Sequence, residues 1–162
     1  MQYFPPIPSW HGAHPIIVHF PIALLMVAPL FVFIAGLTYR RNLAFALAAL
    51  LLMFLGTVGA IVAVEAGEAA LPFADRTEQS APVLEQHEEM GELARNIFAV
   101  LTGVYAVLVF LPMFVKKFTG QTTILAAHAV FLALYLVGML VLANAGHLGG
   151  RLVHEFGIMA MM

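Results

Sequence analysis

The sequence predicts an all-α integral membrane protein, a four-helix bundle forming one domain. Three observations carry this. The 162 residues are 62% hydrophobic and only 10% charged, with a mean hydropathy of +0.97. The apolar residues fall into four separate runs, each close to the roughly 20 residues that cross a bilayer. The charged residues are confined almost entirely to the segments between those runs. A soluble domain of this length has no use for so much apolar surface. The net charge of −2 leaves no basic stripe for phosphates, so no nucleic-acid partner is expected. The absence of cysteine excludes disulfides, thiolate metal sites, iron–sulfur ligation and covalent c-type haem attachment. Any metal or haem must be held by His, Met or carboxylate. The first fifteen residues lack Lys and Arg and are broken by Pro5, Pro6, Pro8 and Pro15, so no cleaved signal peptide is expected.

The first span covers about 15–38 and stops at Arg40 and Arg41. Pro15 suits the first helical position, where its missing N–H is not needed, and this makes His14 the expected cap. Pro21 and Pro29 lie inside the span and predict a bent helix, which a membrane bundle tolerates when neighbours satisfy the freed carbonyls. The second span, about 43–64, carries Gly56 and Ala60, and then Gly59, Ala63 and Gly67, at the four-residue spacing that lets backbones approach closely in lipid. Residues 65–92 hold eight of the nine acidic residues and form the aqueous loop, with helical spacing returning from about Val83. That helical part runs into the third span, about 93–115, which is therefore expected to protrude from the membrane. Lys116 and Lys117 end it. After a turn at Thr119 and Gly120, the fourth span covers about 122–145 and leads into a tail containing Gly149, Gly150, Arg151 and His154. No internal repeat or low-complexity tract is visible.

Orientation follows from the short connections. Arg40, Arg41, Lys116 and Lys117 sit in loops without an acid, whereas every Asp and Glu belongs to the opposite side. The positive-inside rule puts the basic loops in the cytoplasm and both termini and the acidic loop in the periplasm. The expected location is a bacterial inner membrane, crossed several times.

The histidines carry the functional signal. Six of the seven, His11, His14, His19, His87, His147 and His154, fall on the outer side or within the first turns below it. His14 and His19 differ by about 140° around a helix and ~7.5 Å along it, which suits two layers of a site rather than one small ion. His147 and His154 share a face, ~10.5 Å apart, if the helix continues through Gly149 and Gly150. His19, a polar ring one turn inside the bilayer, is expected to face a partner or cavity. His128 is the exception, near the cytoplasmic end of the fourth span, with no polar partner evident at that depth. A bond to its own helix backbone is the plain reading. Because it stands alone there, a single cofactor layer near the outer face is expected rather than a two-haem wire.

Glu65 and Glu68 lie one turn apart at the outer end of the second helix, where they can point into the bundle mouth beside His87, Glu88 and Glu92. Carboxylates with imidazoles suit metal ligation or proton transfer. The Glu-x-x-His pair of di-iron bundles is missing, since Leu84 and Arg151 stand three before His87 and His154. Gly91 breaks the His-Glu-x-x-His zinc pattern that His87 and Glu88 begin. Met159, Met161 and Met162 read as an apolar end rather than as soft copper ligands.

Three stretches together resemble a bacterial membrane family catalogued as domain of unknown function 2231: His14-Pro15-Ile16-Ile17-Val18-His19-Phe20-Pro21, the His87 to Gly91 segment, and Gly149-Gly150-Arg151-Leu152-Val153-His154-Glu155-Phe156-Gly157. The resemblance covers essentially the whole chain. It implies a four-helix membrane domain with no assigned activity, fused to or neighboured by Rieske or cytochrome c domains in some members. It also implies that His14, His19, His87 and His154 are the recurring histidines, with Glu65 or Glu68 standing where the family often has an Asp.

The leading expectation is an electron-transfer subunit that binds b-type haem near the periplasmic face. His19 with His87 is the first axial pair and His14 with His154 the second, and Glu65 or Glu68 supports an imidazole or a propionate. Its partner would be a periplasmic cytochrome c, a Rieske-type protein or a larger respiratory complex, and the chain is not expected to be an enzyme on its own. Two alternatives stay open: a His/carboxylate site for copper, zinc or iron, and a cofactor-free structural anchor of a redox complex. A histidine pH sensor is a further possibility.

Overall fold

The computed structural model describes residues 9–38, 43–115 and 120–158. Arg40, Arg41, Lys116, Lys117 and the methionines of the tail lie outside the described residues. All regular structure within them is helical: α1 His14–Ile17, α2 His19–Thr38, α3 Ala44–Ala70, α4 Ala81–Phe114 and α5 Gln121–His154, with 3-10 turns at His11–Ala13 and Leu71–Phe73. Four helices are long and apolar enough to cross a membrane. Large apolar side chains such as Phe33, Phe54, Val100 and Leu140 are exposed on their outer faces. In water such a surface would drive aggregation, whereas lipid solvates it.

The helices run up and down around a ring: α2 packs on α3, α3 on α4, α4 on α5, and α5 back on α2. The beginning of the first helix, the loop between α3 and α4, and the end of α5 therefore meet at one end of the bundle. At 1.5 Å per residue the 34 residues of α4 and of α5 reach ~50 Å. A hydrocarbon core of ~30 Å leaves both projecting, as the charged start of α4 predicts. The second helix also outruns its expected end and stays helical to Ala70, so the irregular part of the acidic loop shrinks to residues 74–80. There Thr77 and Ser80 tie the turn reciprocally, each backbone N–H donating to the other's hydroxyl, at 2.9 and 3.1 Å.

Val18 joins α1 to α2 with helical dihedrals of its own, φ −59° and ψ −29°. The Val18 N–H bonds the His14 carbonyl while the Ile22 N–H bonds the Val18 carbonyl, so the first span carries on from one to the other. Pro21 has no N–H to donate to the Ile17 carbonyl four residues back, and the ladder is interrupted there. Pro29 does not break α2. It frees the Leu25 carbonyl instead, and the Tyr135 hydroxyl of α5 donates to that oxygen at 2.8 Å. On the other side of the bundle the Thr57 hydroxyl lies 2.8 Å from that of Thr102 and donates to the Phe98 carbonyl at 3.3 Å. The small-residue stripe of α3 behaves as its spacing predicts. A Cβ on Gly56 would fall 2.7 Å from the Leu25 side chain, and one on Gly59 3.0 Å from Phe20. The main core joins Leu25, Val32, Met53, Phe98, Tyr105 and Tyr135 at mid-depth. A second apolar cluster, Val83, Leu84, Leu148 and Leu152, closes the projecting end.

Candidate functional site

Between these two apolar layers the bundle brings together His14 and His87. Their ring centroids are 6.0 Å apart and their planes nearly perpendicular, at 85°. His14 opens α1, and its Nδ1 lies 2.8 Å from the Ala63 carbonyl of α3. His87 sits two turns into α4, and its Nδ1 lies 2.9 Å from the Ala145 carbonyl of α5. A carbonyl oxygen only accepts, so each Nδ1 carries the proton and donates it. In the neutral ring this leaves the lone pair on Nε2. No other protein hydrogen bond among the described residues engages either ring. An imidazole oriented through one nitrogen by a backbone carbonyl, with its other nitrogen unprotonated, is the state in which histidine binds a metal.

Two glycines allow the rings to lie where they do. A Cβ on Gly67 would stand 3.0 Å from Cε1 and Nδ1 of His14, and one on Gly149 2.9 Å from Cε1 of His87. Each imidazole therefore rests on bare helix backbone, one turn beyond the carbonyl that it bonds.

The other sequence-predicted residues are placed differently. His14 is not a helix cap: no side-chain cap bond is made at the start of α1, and its ring reaches across to α3. His19 is exposed and bonds the Pro15 carbonyl of its own chain segment at 2.6 Å, so it faces neither His87 nor a cavity. His154 is exposed as well. The helix does continue through Gly149 and Gly150, but the inward face of α5 there is Ala145, Leu148 and Leu152, which turns His147 and His154 outward. The paired histidines are thus His14 with His87, in place of both expected pairings. Glu65 and Glu68 are also exposed: Ala63 and Ala66 take the inward face of α3, and at 100° per residue the two carboxylates fall outside it. Among the described residues no three His, Asp or Glu side chains converge as a metal site. Glu155 is held below the usual carboxylate range by its hydrogen bond with Arg151, at 3.1 Å.

His11 stacks on Phe73 at 4.3 Å, and its Nε2 lies 2.9 Å from the Ser9 hydroxyl. His128 is buried and bonds the Ile124 carbonyl of its own helix at 2.9 Å, as its plain reading predicts. It does have a neighbour that the sequence did not suggest: the buried Tyr105 ring stands edge-on at 5.8 Å. The roles of Ala63, Ala145 and Gly149 were likewise missed. The signal available was the Ala-x-x-x-Gly spacing, which occurs as Ala63 to Gly67 and again as Ala145 to Gly149.

The family model described as predicted membrane protein, DUF2231, matches residues 10–161. The chain belongs to the DUF2231 family. The match contains both helix pairs, the acidic loop and all seven histidines, in agreement with the resemblance carried by the His14–Pro21 and Gly149–Gly157 stretches. No curated protein and no solved structure matches this DUF2231 chain.

Proposed function

We propose that this DUF2231 protein is a membrane-embedded electron-transfer subunit that holds a b-type haem between His14 and His87. The observation that carries the reading is the ring pair itself, with each Nδ1–H donated to a helix carbonyl and each Nε2 left as a lone pair. Two imidazoles that ligate one metal atom, at metal–nitrogen distances of ~2.0–2.1 Å, have centroids within roughly 6 Å of each other. The observed separation is 6.0 Å. The size of the donor set points the same way. A structural zinc site asks the protein for four ligands, whereas haem iron takes four from its porphyrin and asks for two.

The residues present therefore fit the group. Bound haem supplies a one-electron couple. His14 and His87 would hold it, and the Ala63 and Ala145 carbonyls would hold the rings in orientation and raise their basicity. The apolar residues above and below the pair would keep water from the metal and so help set its potential. With both termini and the acidic loop on the periplasmic side of an inner membrane, the site lies where a cytochrome c or Rieske-type protein, or a larger respiratory complex, could exchange electrons with it. Glu65, Glu68 and His154, exposed at the same end, belong to that contact surface in this reading, and His19 to the bundle's outer flank.

A single transition-metal ion shared by the two imidazoles is the second reading, favoured by an imidazole-only donor set that suits copper, zinc and iron. One experiment separates the two. The protein is purified in detergent after expression with haem available, and its oxidised and reduced absorption spectra and its metal content are measured. A Soret band with reduced α and β bands, lost in both His14→Ala and His87→Ala and retained in His19→Ala, is expected. Stoichiometric metal without porphyrin would establish the second reading, and neither haem nor metal would leave the structural-anchor alternative.

A further inference from the structure

The two halves of the bundle repeat one another. The buried positions of α2 map onto those of α4 at a single constant offset: Leu25 onto Phe98, Ala28 onto Leu101, Val32 onto Tyr105. The buried positions of α3 map onto those of α5 at another constant offset: Met53 onto Tyr135, Gly56 onto Gly138, Ala63 onto Ala145. The contacts follow the same mapping. Gly56 rests against Leu24 and Leu25, and Gly138 against Ile97 and Phe98, their counterparts. Three core carbonyls accept a hydroxyl from the neighbouring helix pair, and two of them, those of Leu25 and Phe98, are again counterparts; the third is that of Met53, which accepts from Thr102. Under the same offsets His14 falls on His87 and Gly67 on Gly149. The ring order of the helices is also preserved, since the α3–α4 contact becomes the α5–α2 contact.

We propose that the chain is a duplicated helix hairpin with a pseudo-two-fold axis along the bundle, and that Gly67 and Gly149 are matched positioning residues that set one imidazole from each hairpin against that axis for a shared metal atom. The midpoint between equivalent groups lies on the axis, so the ligand class is a metal centre with two coordination positions open to nitrogen. The metal atom rests on the haem or metal reading above, whereas the duplication and the positioning role stand on the protein alone. In each half a carbonyl fixes Nδ1, and one turn further on a glycine removes the only atom that would push the ring away. Gly67 and Gly149 also occupy matching places, within the last two turns of α3 and of α5, and glycine there is less favourable to a helix than alanine.

The test reads the rings directly. In detergent-solubilised protein with 15N-labelled histidine, the wild type is expected to show His14 and His87 as neutral Nδ1–H tautomers. Gly67→Ala should perturb the His14 nitrogens more than those of His87, and Gly149→Ala the reverse. Gly146→Ala, where an added Cβ meets nothing within 4 Å, should change neither. If Gly67→Ala does not fold, combining it with His14→Ala removes the clash and should restore the fold, and the same holds for Gly149→Ala with His87→Ala. Unchanged ring signals in either single glycine variant, a larger effect on the opposite ring, or no restoration by the double variants would overturn the proposal. Spectra without haem or metal in the wild type would remove the ligand and the reading above, and leave the tautomer result to decide the positioning role by itself. Where haem is bound, both alanine variants should shift its midpoint potential in the same direction, and a shift in only one would count against equivalence.

Discussion

Tyr135→Phe isolates one hydrogen bond in the middle of the bundle. The substitution keeps the aromatic ring that packs at 5.2 Å from Phe98 and 5.9 Å from Phe131, and removes only the hydroxyl that donates to the Leu25 carbonyl at 2.8 Å. That carbonyl has no helical partner because residue 29 is proline, so in the variant it is left unsatisfied in an apolar core. Leaving a buried acceptor unpaired costs about 1–3 kcal/mol, and side-chain hydrogen bonds inside membrane bundles average about 0.6 and reach about 1.7 kcal/mol. The expected loss is therefore about 1–1.5 kcal/mol. Pro29→Ala supplies an N–H to the same carbonyl, so in that background Tyr135→Phe should cost no more than about 0.5 kcal/mol. The difference, a coupling of roughly 1 kcal/mol, is a double-mutant-cycle quantity. It can be measured by reversible unfolding in mixed detergent and SDS micelles, followed by far-ultraviolet circular dichroism. Equal costs of Tyr135→Phe in the two backgrounds would falsify the assignment of Tyr135 as the partner of a proline-freed carbonyl.

Other consequences can be checked the same way. Thr57→Val removes the hydroxyl shared by Thr102 and the Phe98 carbonyl, and should destabilise by about 0.5–1.5 kcal/mol in the same unfolding assay; no loss would mean that the Thr57 hydroxyl adds nothing to the hold of α3 on α4. Gly36→Ala puts a Cβ 2.9 Å from Cβ of His128. Overpacking there should cost about 1–3 kcal/mol, whereas Gly103→Ala, with open space around it, should be neutral or slightly stabilising, and similar effects at both sites would refute the close α2–α5 approach. The chain has no native cysteine, so Glu78→Cys introduces a single thiol in the acidic loop. In intact cells it should react with a membrane-impermeant maleimide if that loop is periplasmic, and protection until the cells are lysed would reverse the orientation.

The sequence by itself determined the solvent and the number of crossings. Four runs of apolar residues reach bilayer length, the acidic residues cluster between the second and third, and each helix has to satisfy its own backbone inside lipid. Those are local properties, readable one segment at a time. Proline positions were legible in the same sense: the carbonyls freed at Ile17 and Leu25 follow from the missing N–H of Pro21 and of Pro29.

The tertiary structure alone decided which groups meet. His14, His19, His87 and His154 all lie near one end of the bundle, and nothing in their spacing says which of them turn inward, because that depends on how each helix is rotated and shifted against its neighbours. Packing of Ala63, Ala66, Ala145 and Leu148 fixes those rotations. It brings His14 to His87 and leaves Glu65, Glu68, His19 and His154 at the surface. The duplication stayed hidden for a related reason. Leu25 and Phe98, or Met53 and Tyr135, fill equivalent space with different side chains, and a core records volume and apolarity more faithfully than residue identity.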